Sequence, residues 1–341
     1  MHWKLKEERT GDLFGFKFFC SGEILLHGSF SLSLELGVMS QVAYLVLAHA
    51  DPVQLHRLVG RLAPYAAVFI HLDAKAKRED FACTEALSNV VFVEDRRSVS
   101  WAGISMVDAM LATMRTALGS GKRFSKLVFL SGACYPISDI ERINAWFERE
   151  PSREIIRWID MRESPHYLKQ LSKRWFKEPL LEFTHPKFRT LEKTLRYGLR
   201  KLPLQNPSPW EPQMIPCFGS QWWALTHDCC RYIVDFVDNN PWYREMNAST
   251  FSPDEHFFHT LVANSPFAAN ADGLQKFQYV STWYLANFHL IDPGLSKWFS
   301  LEDWDLVAGS DKLFVRKVRS GVSDALCDRL DQMAITSLER I

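Results

Sequence analysis

The 341-residue chain has no net charge, because 40 basic side chains balance 40 acidic ones. That balance removes the broad electrostatic ground for expecting nucleic acid or an anionic membrane as the main partner. The seven cysteines are odd in number and no two stand at CxxC spacing. Neither a disulfide framework nor a zinc site is indicated, and reduced thiols in a cytosolic protein are the expectation. No run reaches the roughly 18–20 apolar residues that a membrane span requires. The apolar stretch from Leu13 to Met39 is broken by Lys17, Glu23, His27 and Glu35. The phosphate-loop pattern GxxxxGK[ST], a GxGxxG after the first strand, HExxH and the GxSxG elbow are all missing. The one Asp-x-Asp, Asp303-Trp304-Asp305, falls in a late helical segment rather than at a strand end, and reads as surface.

Residues 1–38 also fit poorly the basic start, single short apolar block and small-residue cleavage site of a signal peptide. They are expected to be a poorly ordered extension, or upstream sequence ahead of a true start at Met39. The remainder, 39–341, reads as a single domain with no internal repeat and no clean linker. Its 24 phenylalanines and 12 tryptophans are enough for an aromatic core, and flat aromatic faces also suit sugars.

Apolar runs at Gln41–Ala48, Ala67–Leu72, Val90–Val93 and Lys126–Leu130 read as buried strands. They alternate with helical patterns at Pro52–Leu62, Ser105–Leu118 and Asp139–Phe147. Asp51 is the expected N-cap of the first helix, with Pro52 at its first position. Strands alternating with helices imply a largely parallel sheet covered on both faces. In such sheets ligands bind at the edge formed by the strand C-termini, where His49, Asp73 and Ser131 stand. Further along, Leu191–Leu199 reads as an amphipathic helix in a basic stretch. Trp222–Thr226 and Phe277–Val280 read as strands. His227–Asn239, Pro253–Val262 and Ser323–Glu339 read as helices.

Ser252-Pro253-Asp254-Glu255 is the most informative tetrapeptide. It has the form of a capping box, with Ser at the N-cap, Pro at the first position and Glu at the third. A carboxylate held there, in a partly buried site that raises its pKa, can also take a proton from a hydroxyl. Asp73 suits an acceptor for a base or ribose donor at the sheet edge. With no metal motif in view, Arg316 and Lys317 are the groups able to neutralise a leaving diphosphate.

Taken in order, Ala43-Tyr44 with His49, His71-Leu72-Asp73 with Lys75, Trp101-Ala102-Gly103, and Leu130-Ser131-Gly132 with Tyr135-Pro136 form a pattern. It continues through Gly219-Ser220-Gln221-Trp222-Trp223, Ser252-Pro253-Asp254-Glu255 and Leu313-Phe314-Val315-Arg316-Lys317. The sequence from about Gln41 to Lys317 resembles the core-2/I-branching glycosyltransferases and the related peptide O-xylosyltransferases. The resemblance implies an α/β, GT-A-like fold with a donor-binding half near 39–150, an acceptor and catalytic half near 151–320, and a C-terminal helix. It implies an inverting transferase, without cofactor or divalent metal, that moves a sugar from a UDP-sugar to a hydroxyl on a glycan, with GlcNAc the favoured sugar. By position, Glu255 corresponds to the general base. His49, Asp73, Trp101, Lys297, Arg316 and Lys317 correspond to the donor site, and Glu163, Arg174 and Trp283 to the acceptor site.

Two positions depart from the family pattern. Cys134 stands where an acid is common, and Trp283-Tyr284-Leu285 replaces a Trp-x-Tyr pair that usually frames the acceptor. The missing membrane anchor and luminal cysteines suggest a bacterial cytoplasmic enzyme, with peripheral contact at the inner membrane left open. A xylosyltransferase and a catalytically silent glycan- or nucleotide-binding protein are the competing readings. His256 and His259 read as ordinary helix residues.

Overall fold

The computed structural model describes residues 42–180, 186–206, 214–278 and 282–338. The expected extension 1–38 lies outside them. The strands are β1 (Ala43–Ala48), β2 (Ala67–Leu72), β3 (Val90–Phe92), β4 (Leu127–Ser131), β5 (Cys134–Pro136), β6 (Glu154–Asp160), β7 (Cys217–Gly219), β8 (Ala224–Leu225), β9 (Ala271–Leu274), β10 (His289–Ile291) and β11 (Phe314–Arg316). The helices are α1 (Pro52–Leu62), α2 (Ala82–Glu85), α3 (Ile104–Leu118), α4 (Ile140–Glu148), α5 (Pro165–Ser172), α6 (Pro186–Lys201), α7 (His227–Asn239), α8 (Pro241–Asn247), α9 (Phe257–Ala263), α10 (Trp304–Ala308) and α11 (Asp324–Leu338).

The main sheet runs β3-β2-β1-β4-β8-β6-β7, with β9 paired to β6. The expected parallel order holds for β3, β2, β1 and β4. Beyond β4 the sheet turns antiparallel at β8 and again between β6 and β7, while β9 rejoins in parallel. A strand from the expected acceptor half, β8, therefore completes the sheet begun by the donor half. A smaller sheet, β10-β11-β5, carries Arg316 at its end.

β1 is buried at all six positions. Its alternate side chains enter two cores, as a strand covered on both faces requires. Ala43, Leu45 and Leu47 join α3, α7 and α9 residues on one face, while Tyr44, Val46 and Ala48 pack with α1 and α4 on the other. α1 starts as expected, with Asp51 Oδ1 accepting from the Gln54 N–H at 3.1 Å. Leu55, Leu58, Val59 and Leu62 form its buried stripe, each such side chain contributing about 1.5–3 kcal/mol. The C-terminal helix α11 docks on α1 through Asp331, which accepts from Tyr135 Oη at 2.7 Å and pairs with Arg57 at 2.7 Å.

Three local expectations fail. Phe277 and Gln278 are not strand, and the rest of that stretch falls outside the described residues; the strand lies earlier, at Ala271–Leu274. Trp222 and Trp223 lie outside the two-residue β8. The expected helix Pro253–Val262 is a 3₁₀ turn, Pro253–Glu255, followed after His256 by α9.

Candidate active site

Parallel pairing brings the ends of β1, β2 and β4 to one edge, because Ala48 is opposite Leu72 and Leu47 opposite Ser131. His49 is exposed at the bend after β1. Asp73 is nearly buried, and its N–H donates to the Ala48 carbonyl at 2.8 Å. Its carboxylate accepts from the Lys75 N–H at 2.9 Å and pairs with Lys75 Nζ at 3.3 Å. Lys75 Nζ also donates to the Val99 carbonyl, which joins this corner to the next.

That next corner is the turn Trp101-Ala102-Gly103. Trp101 is 75% exposed, so its indole is available to a ligand. Phe251 meets it edge-on at 5.9 Å between centroids. Lys177 Nζ lies 4.5 Å from the Trp101 ring centre and 4.4 Å from that of Phe251. Burial lowers the Lys177 pKa, reinforced by the charges of Arg200 and Arg196. Ala102 adopts φ 58°, in the left-handed region. Gly103 has no room for a side chain, since a Cβ there would meet Glu178 Oε1 at 2.1 Å. Glu178 accepts from the Ser105 N–H at 2.8 Å, placing a negative charge at the positive end of α3.

The Ser252–Glu255 loop is tied to this turn, the Ser252 N–H donating to the Ala102 carbonyl at 3.2 Å. The expected capping box does not form there. The Ser252 side chain makes no cap bond, and the Ser252 N–H that a box would offer to the Glu255 carboxyl donates to Ala102 instead. A box of that kind occurs instead at Ser300, closed by Asp303. Asp303 also pairs with Lys297 and is only 10% exposed at its side chain, so the Asp-x-Asp is not simply surface.

Asp254 is buried, and its Oδ1 has no hydrogen-bond partner among the described residues. Burial pushes its pKa up to about 6. Glu255 is half-buried beside it, and no hydrogen bond to its carboxyl is found among the described residues. Burial raises its pKa well above the ordinary carboxylate range, and the Asp254 charge adds to that shift. His256 and His259 are fully buried, and burial pushes both down to about 3. Both are therefore neutral near pH 7, as suits core side chains.

The cations approach from β11. Arg316 donates to Ser131 Oγ at the end of β4 and stacks 4.5 Å over Trp222. Burial lowers its pKa. Lys317 is half-buried; burial and the Arg316 charge lower its pKa. Lys297 differs, because its ammonium pairs with Asp303, whose hydrogen bond raises its pKa. Its segment stays beside Lys317 through the Phe299 N–H, which donates to the Lys317 carbonyl at 2.8 Å. Cys134, at the departing position, is buried with Sγ 3.3 Å from His289 Nε2. Among the described residues no three His, Cys, Asp or Glu side chains gather as a metal-ligand set.

Of the acceptor candidates, Glu163 and Trp283 are exposed on the turns Met161–Glu163 and Thr282–Leu285. Tyr284 feels the Glu163 charge, and Tyr167 feels both Tyr284 and Glu255. Arg174 is exposed; its N–H donates to the Leu204 carbonyl at 2.8 Å and its guanidinium lies 5.7 Å from the Phe176 ring. Tyr167, Lys177 and Glu178 escape a reading by motif, because each reaches the site from a distant segment. Gly103 was the available signal for Glu178, a small residue where two segments approach closely.

The fold is of the α/β class, with the candidate site at the edge formed by the C-terminal ends of its parallel strands. A family model, "Core-2/I-Branching enzyme", matches residues 42–283, and the chain belongs to that family. It is similar to the Drosophila melanogaster protein named Xylosyltransferase oxt, 23% identical over 86% of this chain and 33% of that one. Rattus norvegicus Xylosyltransferase 2 is 25% identical over 67% of this chain and 25% of its own length. The chain thus spans about a quarter to a third of these relatives. Among solved structures, mouse xyloside xylosyltransferase 1 in its apo form overlaps 80% of this chain and 97% of that one, at 11% identity and a TM-score of 0.33.

Proposed function

We propose that the protein transfers a sugar from a UDP-sugar to a hydroxyl of a glycan, with inversion and without a divalent metal. Glu255 takes the proton from the acceptor hydroxyl as its oxygen attacks the sugar C1. The bond from C1 to the diphosphate oxygen breaks on the opposite face, and UDP leaves with the electron pair. Lys317 and Arg316 receive the growing negative charge. Lys297, held by Asp303, assists from the adjoining segment. Asp73 accepts from the uridine, Trp101 offers its exposed face to the uracil, and His49 borders the same edge. Glu163 and Trp283 meet the acceptor near Tyr284, with Arg174 further out. Much of the remaining acceleration comes from holding two substrates in line.

The observation that carries this reading is the Glu255 carboxyl itself. It is half-buried, made more basic by burial and by Asp254, and accepts no hydrogen bond among the described residues. A base near neutral pH needs those properties. The favoured sugar from the sequence was GlcNAc. The names of the relatives support xylose as the second reading. The test is UDP release by the full chain from UDP-GlcNAc and UDP-xylose, in excess EDTA, with glycan acceptors. Release from one donor supports the transferase and names the sugar. Strict dependence on added Mn²⁺ overturns the metal-free mechanism. UDP binding without release from any donor favours the silent binding protein.

A further inference from the structure

Helix α6 is turned against the usual pattern. A surface helix of a globular protein buries its apolar stripe and exposes its charges. Here Glu192 is only 7% exposed; it pairs with Arg196 at 3.1 Å and accepts from the Leu180 N–H at 3.0 Å. Arg196 and Arg200 reach inward to the carbonyls of Lys177 and Phe176, at 2.6 and 2.8 Å. Leu191 and Leu195, at i and i+4, point to solvent at 65% and 57% exposure, and Leu202, on the bend just past the helix, is 46% exposed. Tyr197 is 60% exposed beside them, with Lys201 Nζ 4.7 Å from its ring centre. Lys193 is exposed as well. Across 186–201 there are six cationic side chains and one acid, and that acid is the buried Glu192. The outward surface of the helix is therefore apolar and positive.

We propose that α6 lies on an anionic lipid bilayer, its Leu191–Leu195 line entering the headgroup boundary and its lysines facing the acidic headgroups. An exposed leucine line bordered by lysines, with no exposed acid, is complementary to a surface that is apolar below and negative above. At sixteen residues α6 is about 24 Å long, and no described helix is long and apolar enough to cross a membrane. The contact is thus one of lying on the surface, not spanning. The inward face of α6 is hydrogen bonded to the segment that carries Lys177, which leaves its leucine face free for the surface. The proposal does not depend on the transfer chemistry.

The test is co-sedimentation of the full chain with vesicles of phosphatidylcholine alone or with 30% phosphatidylglycerol (roughly the charge density that such attraction needs). Binding to the anionic vesicles that weakens with salt is expected. Leu191→Glu with Leu195→Glu should lower it more than tenfold. Lys193→Ala and Lys201→Ala should each lower it about fivefold. Unchanged circular dichroism checks that the variants fold, and UDP binding by calorimetry reads the donor site separately. Absence of vesicle binding, equal binding to neutral vesicles, or binding untouched by the leucine variants each overturn the proposal. Self-association lost on Leu191→Glu, without vesicle binding, also overturns it and marks the face as one between copies of this chain.

Discussion

Replacing a glycine by alanine should have opposite effects at two positions, and the structure states why. At Gly219 an added Cβ would stand 2.2 Å from the Arg157 carbonyl oxygen and 2.5 and 2.6 Å from Cδ2 and Nε2 of His259. Ordinary contacts lie near about 3.5–4.0 Å, so the neighbours would have to retreat by about 1–2 Å. Neither can do so freely. The carbonyl belongs to β6, which pairs with β7 at Trp158 and Gly219, and the His259 ring is fully buried on α9. Overpacking of this kind costs about 3 kcal/mol, the upper part of its usual range. For a chain this size that lowers Tm by roughly 4–5 °C. At Gly60, on α1, the same Cβ meets nothing within 4 Å. There the change relieves glycine's entropy penalty and stabilises by about 0.5–1 kcal/mol. Calorimetric melting of both variants is the assay. A Gly219→Ala protein that melts with or above the wild type would refute this packing argument.

Three further outcomes are expected at the site. Because Glu255 must be ionised to act and its pKa is raised, kcat/KM should fall on the acid side at a pH above the ordinary carboxylate range. Asp254→Asn removes the negative neighbour and should move that limb to lower pH; an unmoved limb would detach Asp254 from the base. Trp101→Ala should weaken UDP binding by about tenfold through lost stacking, read by calorimetry, while kcat changes little. Lys317→Ala should lower kcat about 10²-fold, whereas Lys297→Ala, already paired with Asp303, should stay within a few-fold in the same turnover assay.

The parallel half of the sheet was legible because its strands are continuous apolar runs and α1 carries its own start signal at Asp51 and Pro52. Strand ends then located His49, Asp73 and Ser131 at one edge. The antiparallel half was less so. β7 and β8 are three and two residues long, too short for any periodicity to speak. The Ser252 loop shows a second cause. Its residues spell a capping box, but the Ser252 N–H is committed to the distant Ala102 carbonyl and the local signal loses. Lys177 and Glu178 act through contacts with Trp101 and Gly103, some 75 positions earlier in the chain, and no local pattern encodes such pairs.

The central claim is that Glu255 is the base of a sugar transfer. Its most direct test is UDP release by full-length Glu255→Gln beside the wild type, in EDTA, with UDP affinity measured in parallel. The account predicts unchanged UDP binding and a fall in turnover of about 10²-fold or more. Wild-type turnover in the glutamine variant would contradict it.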